Sequence, residues 1–220
     1  MKQLLDLNDA LMVLKSVLER ISARGGELPK SVVMVGGTAL AAHGVRDLSK
    51  DVDFYSKNID ETIIYEVEKE FRQIHGRLFK IDVTSSEAIW GRVILKDLEQ
   101  SPKFTTMSVG QQDVEVKMLT VEDLFFLKLG ADREKDRRDL PGLVDRTTSD
   151  ALTARFNQLI DWMADKNAAM GFMDRFVDVM EEYFELAPQR LMERLELPVQ
   201  VKDMLLASRV MEGNDGSQEL

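Results

Sequence analysis

The chain has 220 residues, 44% of them apolar and 31% charged, enough for one large domain or two small ones with a sizeable core. Its 39 acidic residues against 29 basic ones give a formal net charge of −10, which argues against a surface that grips nucleic-acid phosphates everywhere. It contains no cysteine, which excludes disulfides, thiolate metal sites and a cysteine nucleophile. The stretch Met1 to Asp6 lacks the apolar core of a signal peptide, and no apolar run approaches membrane-spanning length. A cytoplasmic protein with no membrane partner is therefore expected.

Taken in order, Leu11, Leu14, Leu18 and Ile21 recur at helical spacing and predict an amphipathic helix over 7–24, with Asn8 placed to cap it and Gly25-Gly26 to end it. Ser31 to Val35 reads as a buried strand that stops at Gly36-Gly37. After that glycine turn, Thr38 to Ala42 predicts a short helix, and Asp51 to Tyr55 a second strand. On that strand Asp51 and Asp53 share one face while Val52 and Phe54 point into the core. Asp60 is placed to cap a helix reaching Ile74, with Ile63, Ile64, Val67 and Phe71 inward and His75-Gly76 closing it.

Arg77 to Thr84 alternates as a strand does. Leu78, Lys80, Asp82 and Thr84 lie on one side and Phe79, Ile81 and Val83 on the other, leaving Asp82 an isolated carboxylate on a strand that otherwise looks buried. Residues 87–103 give no clear element. Phe104–Val109 and Asp113–Leu119 predict a hairpin through Gly110-Gln111-Gln112, and Thr120 a cap for the helix that follows. From Ser149 onward the pattern is helical. Leu152, Phe156, Leu159, Ile160 and Met163 form one apolar stripe, and Phe172, Phe176, Val179, Met180 and Tyr183 the next. Pro188 and Pro198 are placed to start helices. The domain expectation is 1–145, then a helical domain over 146–212, then a disordered tail over 213–220.

The chemistry concentrates in residues 31–55. Two carboxylates held side by side repel unless a cation lies between them, and hard divalent cations prefer oxygen ligands. Gly36-Gly37 lets backbone approach a ligand, with amide groups at the following helix start ready for an anion. Together these suit a metal-bound triphosphate. Rival motifs fail on the residues: an EF-hand loop from Asp51 would need a ligand, a glycine and a glutamate where Tyr55, Ser56 and Thr62 stand. No Gly-Lys-Ser/Thr follows the glycines, and no Gly-x-Gly-x-x-Gly is present there. The Asp-x-Asp also follows Leu48-Ser49-Lys50 rather than the apolar strand a phosphatase motif requires.

Gly36-Gly37-Thr38, a gap, then Asp51-Val52-Asp53 resembles the signature of the nucleotidyltransferase superfamily, the polymerase-beta-like fold. With Ala39-Leu40, Gly44-Val45-Arg46 and Ser49-Lys50 included, the form is most similar to the abortive-infection type, which includes toxins of toxin–antitoxin pairs. The resemblance extends over residues 31–143. A second element, Lys128 to Leu140, resembles the family's helix that carries a lysine followed by an Arg-x-Lys-Asp-x-x-Asp run.

The resemblance implies an α/β (α+β) nucleotidyltransferase fold, a mixed β-sheet flanked by helices, ahead of a C-terminal helical region. It implies transfer of a nucleoside monophosphate from ATP or another nucleoside triphosphate to a hydroxyl acceptor, with Mg²⁺ (or Mn²⁺) as cofactor. Asp51, Asp53 and Asp82 would be catalytic residues and metal ligands, Asp82 being the third carboxylate, on the strand after the Asp-x-Asp strand. Gly36, Gly37, Thr38, Lys128 and Arg133 would bind the nucleotide. Its acceptor would be tRNA, or else a protein or small molecule, and an antitoxin protein would be a partner. The alternatives are a small-molecule, aminoglycoside-like transferase and a nucleotide-binding module without turnover.

Overall fold

The computed structural model describes residues 6–46, 51–56, 59–76, 80–83, 94, 100–161 and 170–215. Ser49, Lys50, Leu78, Phe79, Thr84, Met163, most of the 87–103 stretch and residues 216–220 lie outside that set. By contact density the chain divides into two units, Met1–Leu124 and Phe125–Leu220.

In the first unit five strands form one sheet in the order β3-β2-β1-β5-β4: β1 is Ser31–Met34, β2 Val52–Tyr55, β3 Ile81–Val83, β4 Lys103–Val109 and β5 Gln112–Met118. The sheet is mixed, with β1 parallel to β5 and antiparallel to β2, β2 parallel to β3, and β4 antiparallel to β5. The central β1 is apolar and β-branched because it has a neighbour on each side, and Val32, Val33 and Met34 are all buried. On β2, Val52 and Phe54 are buried while Asp53 and Tyr55 are half-exposed, as period-2 alternation requires. Asp51 stands one residue before β2, not within it as expected. The β4–β5 hairpin turns through Gly110 and Gln111 alone, since Val109 pairs with Gln112, and Gly110 takes the positive φ of +61° that so tight a turn demands.

Helix α1, Leu7–Ala23, buries Ala10, Val13, Leu14, Val17, Leu18 and Ile21 and packs on α2, Gly36–Ala42, on α3, Glu61–His75, and on β4. Its cap is Asp6 rather than Asn8. Asp6 and Asp9 exchange side-chain to backbone bonds of 2.9 and 3.1 Å, a reciprocal capping box that Asn8 has no partner to form. Across the α1–α3 seam Arg20 and Arg24 both reach Glu66. Asp60 caps α3 by accepting from Thr62 N–H at 2.8 Å, and Gly76 closes it in the left-handed conformation. Glu68 on α3 accepts from the outward-facing Ile81 N–H at 2.8 Å, which satisfies a donor on the sheet's edge strand.

Helix α2 begins at Gly36, two residues earlier than expected, so the glycines are its first turn rather than a turn ahead of it. Its other end is tied down by His43, whose Nε2 lies 2.7 Å from the Leu119 carbonyl oxygen. Leu119 N–H in turn donates to Met34 C=O.

Helix α4, Val121–Ala131, is capped by Thr120, whose hydroxyl accepts from Asp123 N–H at 3.1 Å; the boundary between the units falls inside it. The second unit continues with α5, Glu134–Arg137, α6, Leu140–Val144, α7, Ser149–Asp161, α8, Met170–Phe184, α9, Pro188–Arg194, and α10, Val199–Asp215. Helix α10 therefore runs through the first residues of the stretch expected as a tail. Pro188 opens α9 as expected, whereas Pro198 precedes α10 and its carbonyl accepts from Val201 and Lys202.

The second unit's core is aromatic. Phe156 stacks on Phe176 (centroids 4.6 Å, 8° between planes) and on Phe172 (6.1 Å, 7°), while Phe126 meets all three at 5.3–6.1 Å. Tyr183, placed on the same stripe by periodicity, is instead partly exposed. Phe156 is fully buried and stacks on two rings of the cluster, so Phe156→Ala should cost about 3–5 kcal/mol, read as a fall in the urea midpoint at unchanged slope. A loss below about 1 kcal/mol would show that the cluster does not hold this unit together.

Candidate active site

Helix α2 has no side-chain cap of its own: Val35 at its N-cap contributes no side-chain bond. The missing acceptor arrives from β2. The Asp53 carboxylate accepts from Gly37 N–H at 2.6 Å, and the Asp53 N–H donates to the Thr38 hydroxyl at 2.9 Å. Val35 N–H completes the join by donating to Asp53 C=O at 3.2 Å. Three bonds thus clamp one residue of β2 to the β1–α2 corner. Thr38 is buried, with its hydroxyl engaged inside the protein.

Gly36 is dictated by this clamp. A Cβ at position 36 would lie 2.6 Å from Asp53 Oδ2 and 2.8 Å from its carboxyl carbon, and Gly36 has φ +51°. The glycine pair and the carboxylate sixteen residues later are one steric unit.

The register of β2 with β3 sets Asp53 directly opposite Asp82. Paired residues of adjacent strands project to the same face, so the two carboxylates are neighbours, as the strand pattern predicts. Ile81 on the other face of β3 is buried as expected, while the Asp82 side chain is half-exposed and bonded to Lys80, with Nζ 2.5 Å from Oδ1. The hydrogen bond to Asp82, helped by the charges of Asp51 and Glu68 against the opposing effect of burial, raises the Lys80 ammonium above the ordinary lysine pKa. Among the described residues, no group of three His, Cys, Asp or Glu side chains is arranged to hold a metal ion. Lys80 is the residue the sequence reading missed; its i, i+2 spacing from Asp82 was the available signal.

Lys128 and Arg133 lie in the second unit. Helix α4 ends at Ala131, Asp132 turns the chain with φ +49°, and α5 brings Asp136 back beneath Lys128. Lys128 Nζ lies 2.6 Å from Asp136 Oδ1 and 3.1 Å from Asp139 Oδ2, all three residues being buried. Arg133 Nε donates to the other Asp136 oxygen. The lysine whose charge needed an anion has found two within its own segment. Burial pushes the Asp136 carboxyl upward, but the bonds from Arg133 and Lys128 outweigh it and hold Asp136 below its ordinary value of 3.8.

The family model described as nucleotidyltransferase of unknown function (DUF6036) matches residues 9–185. The chain belongs to this family. Comparison with curated proteins and with solved structures finds no match. The match covers the clamp, both aspartates of the β2–β3 pair and the Lys128 cluster, and the five-stranded mixed sheet flanked by helices is the α+β nucleotidyltransferase fold. Among the described residues, no helix of this nucleotidyltransferase is long and apolar enough to cross a membrane.

Two outcomes follow from this geometry. Gly36→Ala should lose about 1–2 kcal/mol from the left-handed backbone alone, with the clash added, as read by urea unfolding. Because the clash is with the Asp53 side chain, the loss should be smaller in an Asp53→Ala background; strict additivity would disprove the coupling. Asp136 has a folded pKa below its unfolded one, so its stabilisation is complete above about pH 4 and fades as pH falls through the folded value. Asp136→Asn should therefore cost several kcal/mol at pH 7, on the order of 3–5, and progressively less below pH 3.8. A penalty independent of pH across that window would refute the ion-pair account.

Proposed function

We propose that the protein is a metal-dependent nucleotidyltransferase that moves a nucleoside monophosphate from a nucleoside triphosphate to a hydroxyl acceptor, releasing pyrophosphate. The observation that carries this reading is Asp53 clamped at the start of α2 with Asp82 at the partner position on β3. The donor set fits Mg²⁺ on its chemistry, since the ligands are carboxylate oxygens and a cation, the Lys80 ammonium, already sits on one of them. Mg²⁺ is characteristically held by one or two carboxylates together with substrate phosphates, so a cage of three protein side chains is not needed beforehand. Asp53 and Asp82, with Asp51 just ahead of the strand, would hold it. Bound there, the ion would neutralise charge on the triphosphate and on the attacking and leaving oxygens.

The protein's own contribution is placement. Asp53 is fixed by Gly37 and Thr38, so its oxygens need no reorganisation as charge builds. Asp82 would orient the acceptor hydroxyl or take its proton.

For the acceptor we propose tRNA, in keeping with the toxin-type form of the motif, and an antitoxin as protein partner. The charge placement limits how RNA is held. Arg137 pairs with Asp132 and Arg138 with Glu134, but both pairs are exposed, and such pairs contribute at most about 1 kcal/mol, so phosphates can replace the carboxylates. Lys128, by contrast, is committed to buried partners. A protein or small-molecule acceptor is the second reading, favoured by the net charge of −10.

The test is incubation of the purified protein and Mg²⁺ with each labelled nucleoside triphosphate, in parallel with tRNA, protein extract and small hydroxyl compounds. Label should pass to tRNA, disappear in Asp51→Asn and Asp53→Asn, and weaken when Arg137 and Arg138 are both reversed to glutamate. Asp53→Asn should stay folded, because its amide oxygen can still accept from Gly37 N–H. Labelling of protein or small molecules instead would reassign the acceptor, and full turnover by either asparagine variant would sink the metal-carboxylate mechanism.

A further inference from the structure

The two carboxylates of the candidate site are restrained in different ways. Asp53 is held by backbone, through Gly37 N–H at 2.6 Å, and cannot leave without opening the start of α2. Asp82 is held by a side chain, Lys80 Nζ, at 2.5 Å. Lys80 stands one residue before β3 and two before Asp82, and Asp82 shares the face that Asp53 occupies on β2. Asp51 and Glu68 also act on Lys80 electrostatically, so this one ammonium answers to several carboxylates at once. Both partners remain substantially open to water, Lys80 at 61% and Asp82 at 49% of their side-chain surface. An ion pair that exposed is worth only about 0.2–1 kcal/mol. A flexible ammonium stem can therefore leave at little cost when a better cation arrives.

We propose that Lys80 is a built-in counter-cation of the site: in the free protein its ammonium occupies the place on Asp82 that a divalent cation takes, and it competes with that cation for the carboxylate. The proposal rests on the reading of Asp53 and Asp82 as metal ligands. It assigns Lys80 a positioning role, keeping Asp82 beside Asp53 without a metal and setting how tightly the free protein takes one up. A monovalent ammonium bonded to one carboxylate cannot match a divalent ion shared by two, so the exchange runs toward the metal once it is available.

The experiment is direct binding of Mn²⁺ to the full chain by calorimetry or water-proton relaxation, at low salt and without nucleotide. It compares wild type with Lys80→Met, Lys80→Arg and Asp53→Asn, each checked for native circular dichroism. Removing the competitor should tighten Mn²⁺ binding about two- to five-fold in Lys80→Met, the range the pair's energy allows, while Lys80→Arg stays within about two-fold of wild type. Mn²⁺ affinity in a folded Lys80→Met that equals or falls below wild type would overturn the proposal, leaving an ordinary surface pair or a structural lysine. If neither wild type nor Lys80→Met binds Mn²⁺ better than Asp53→Asn does, either alone or in a repeat with a non-hydrolysable nucleoside triphosphate, the metal-site reading itself fails and this inference falls with it.

Discussion

The bond between Gly37 N–H and the Asp53 carboxylate is the contact on which the architecture of the first unit turns. It answers two unmet needs together. Helix α2 starts from Val35, which offers its exposed amides no side-chain acceptor, and Asp53 is an acidic residue against the end of a buried strand. A hydrogen bond to a charged group is worth about 1.5–3 kcal/mol, more than most single contacts in a domain of this size. Its geometry then propagates. Gly36 must lack a side chain because Asp53 occupies that space, and Thr38 is buried because its hydroxyl receives the Asp53 N–H. Three residues of the glycine motif are thus set by one residue of the second motif. The two halves of the pattern belong together for a steric reason before any ligand is considered.

The second unit depends on a contact of the opposite kind. A lysine in the apolar stretch of α4 would be costly if its charge were left alone, and the chain offsets this by breaking the helix after Ala131 and folding two aspartates back onto it. Arg133 closes the far side of Asp136. Such a cluster adds little net stability compared with apolar side chains of the same size, but it is intolerant of losing one member. It therefore fixes where α5 and α6 sit relative to the end of α4. The aromatic cluster around Phe156 supplies the burial that the ionic cluster does not.

Much of this fold is legible as local periodicity. The apolar stripe of α1, the caps at Asp60 and Thr120, the glycine turn at 110 and the alternation of β2 are all short-range signals, and the structure carries each of them. The readings that shifted depend on partners far apart in sequence or on side-chain reciprocity. Helix α2 starts at Gly36 because its cap comes from Asp53, which no local rule supplies. Asp6 replaces Asn8 because only Asp6 has Asp9 three residues on to return the bond. At the site, Asp53 and Asp82 were readable as neighbours from two strand patterns and the motif. The i, i+2 spacing of Lys80 and Asp82 on one side was visible too, but the enclosure of Lys128 by Asp136 and Asp139 was not, because charge runs look solvated until the fold decides which ones meet.

Adjacent carboxylates are an electrostatic liability in a protein without its cation, and here the liability is divided. A backbone amide takes one charge, in a bond that the fold itself requires; an exposed lysine takes the other, in a bond worth little. On the proposed reading this division has a chemical logic. The fixed carboxylate defines where a metal–triphosphate must sit, and the exchangeable one lets the site accept it without a large rearrangement of backbone. A site built from two rigidly held carboxylates would either hold metal permanently or carry unrelieved repulsion whenever it was empty. On the proposed reading, mixing a backbone partner with a side-chain partner would avoid both, because the ammonium would neutralise the second carboxylate until the substrate's own cation replaced it.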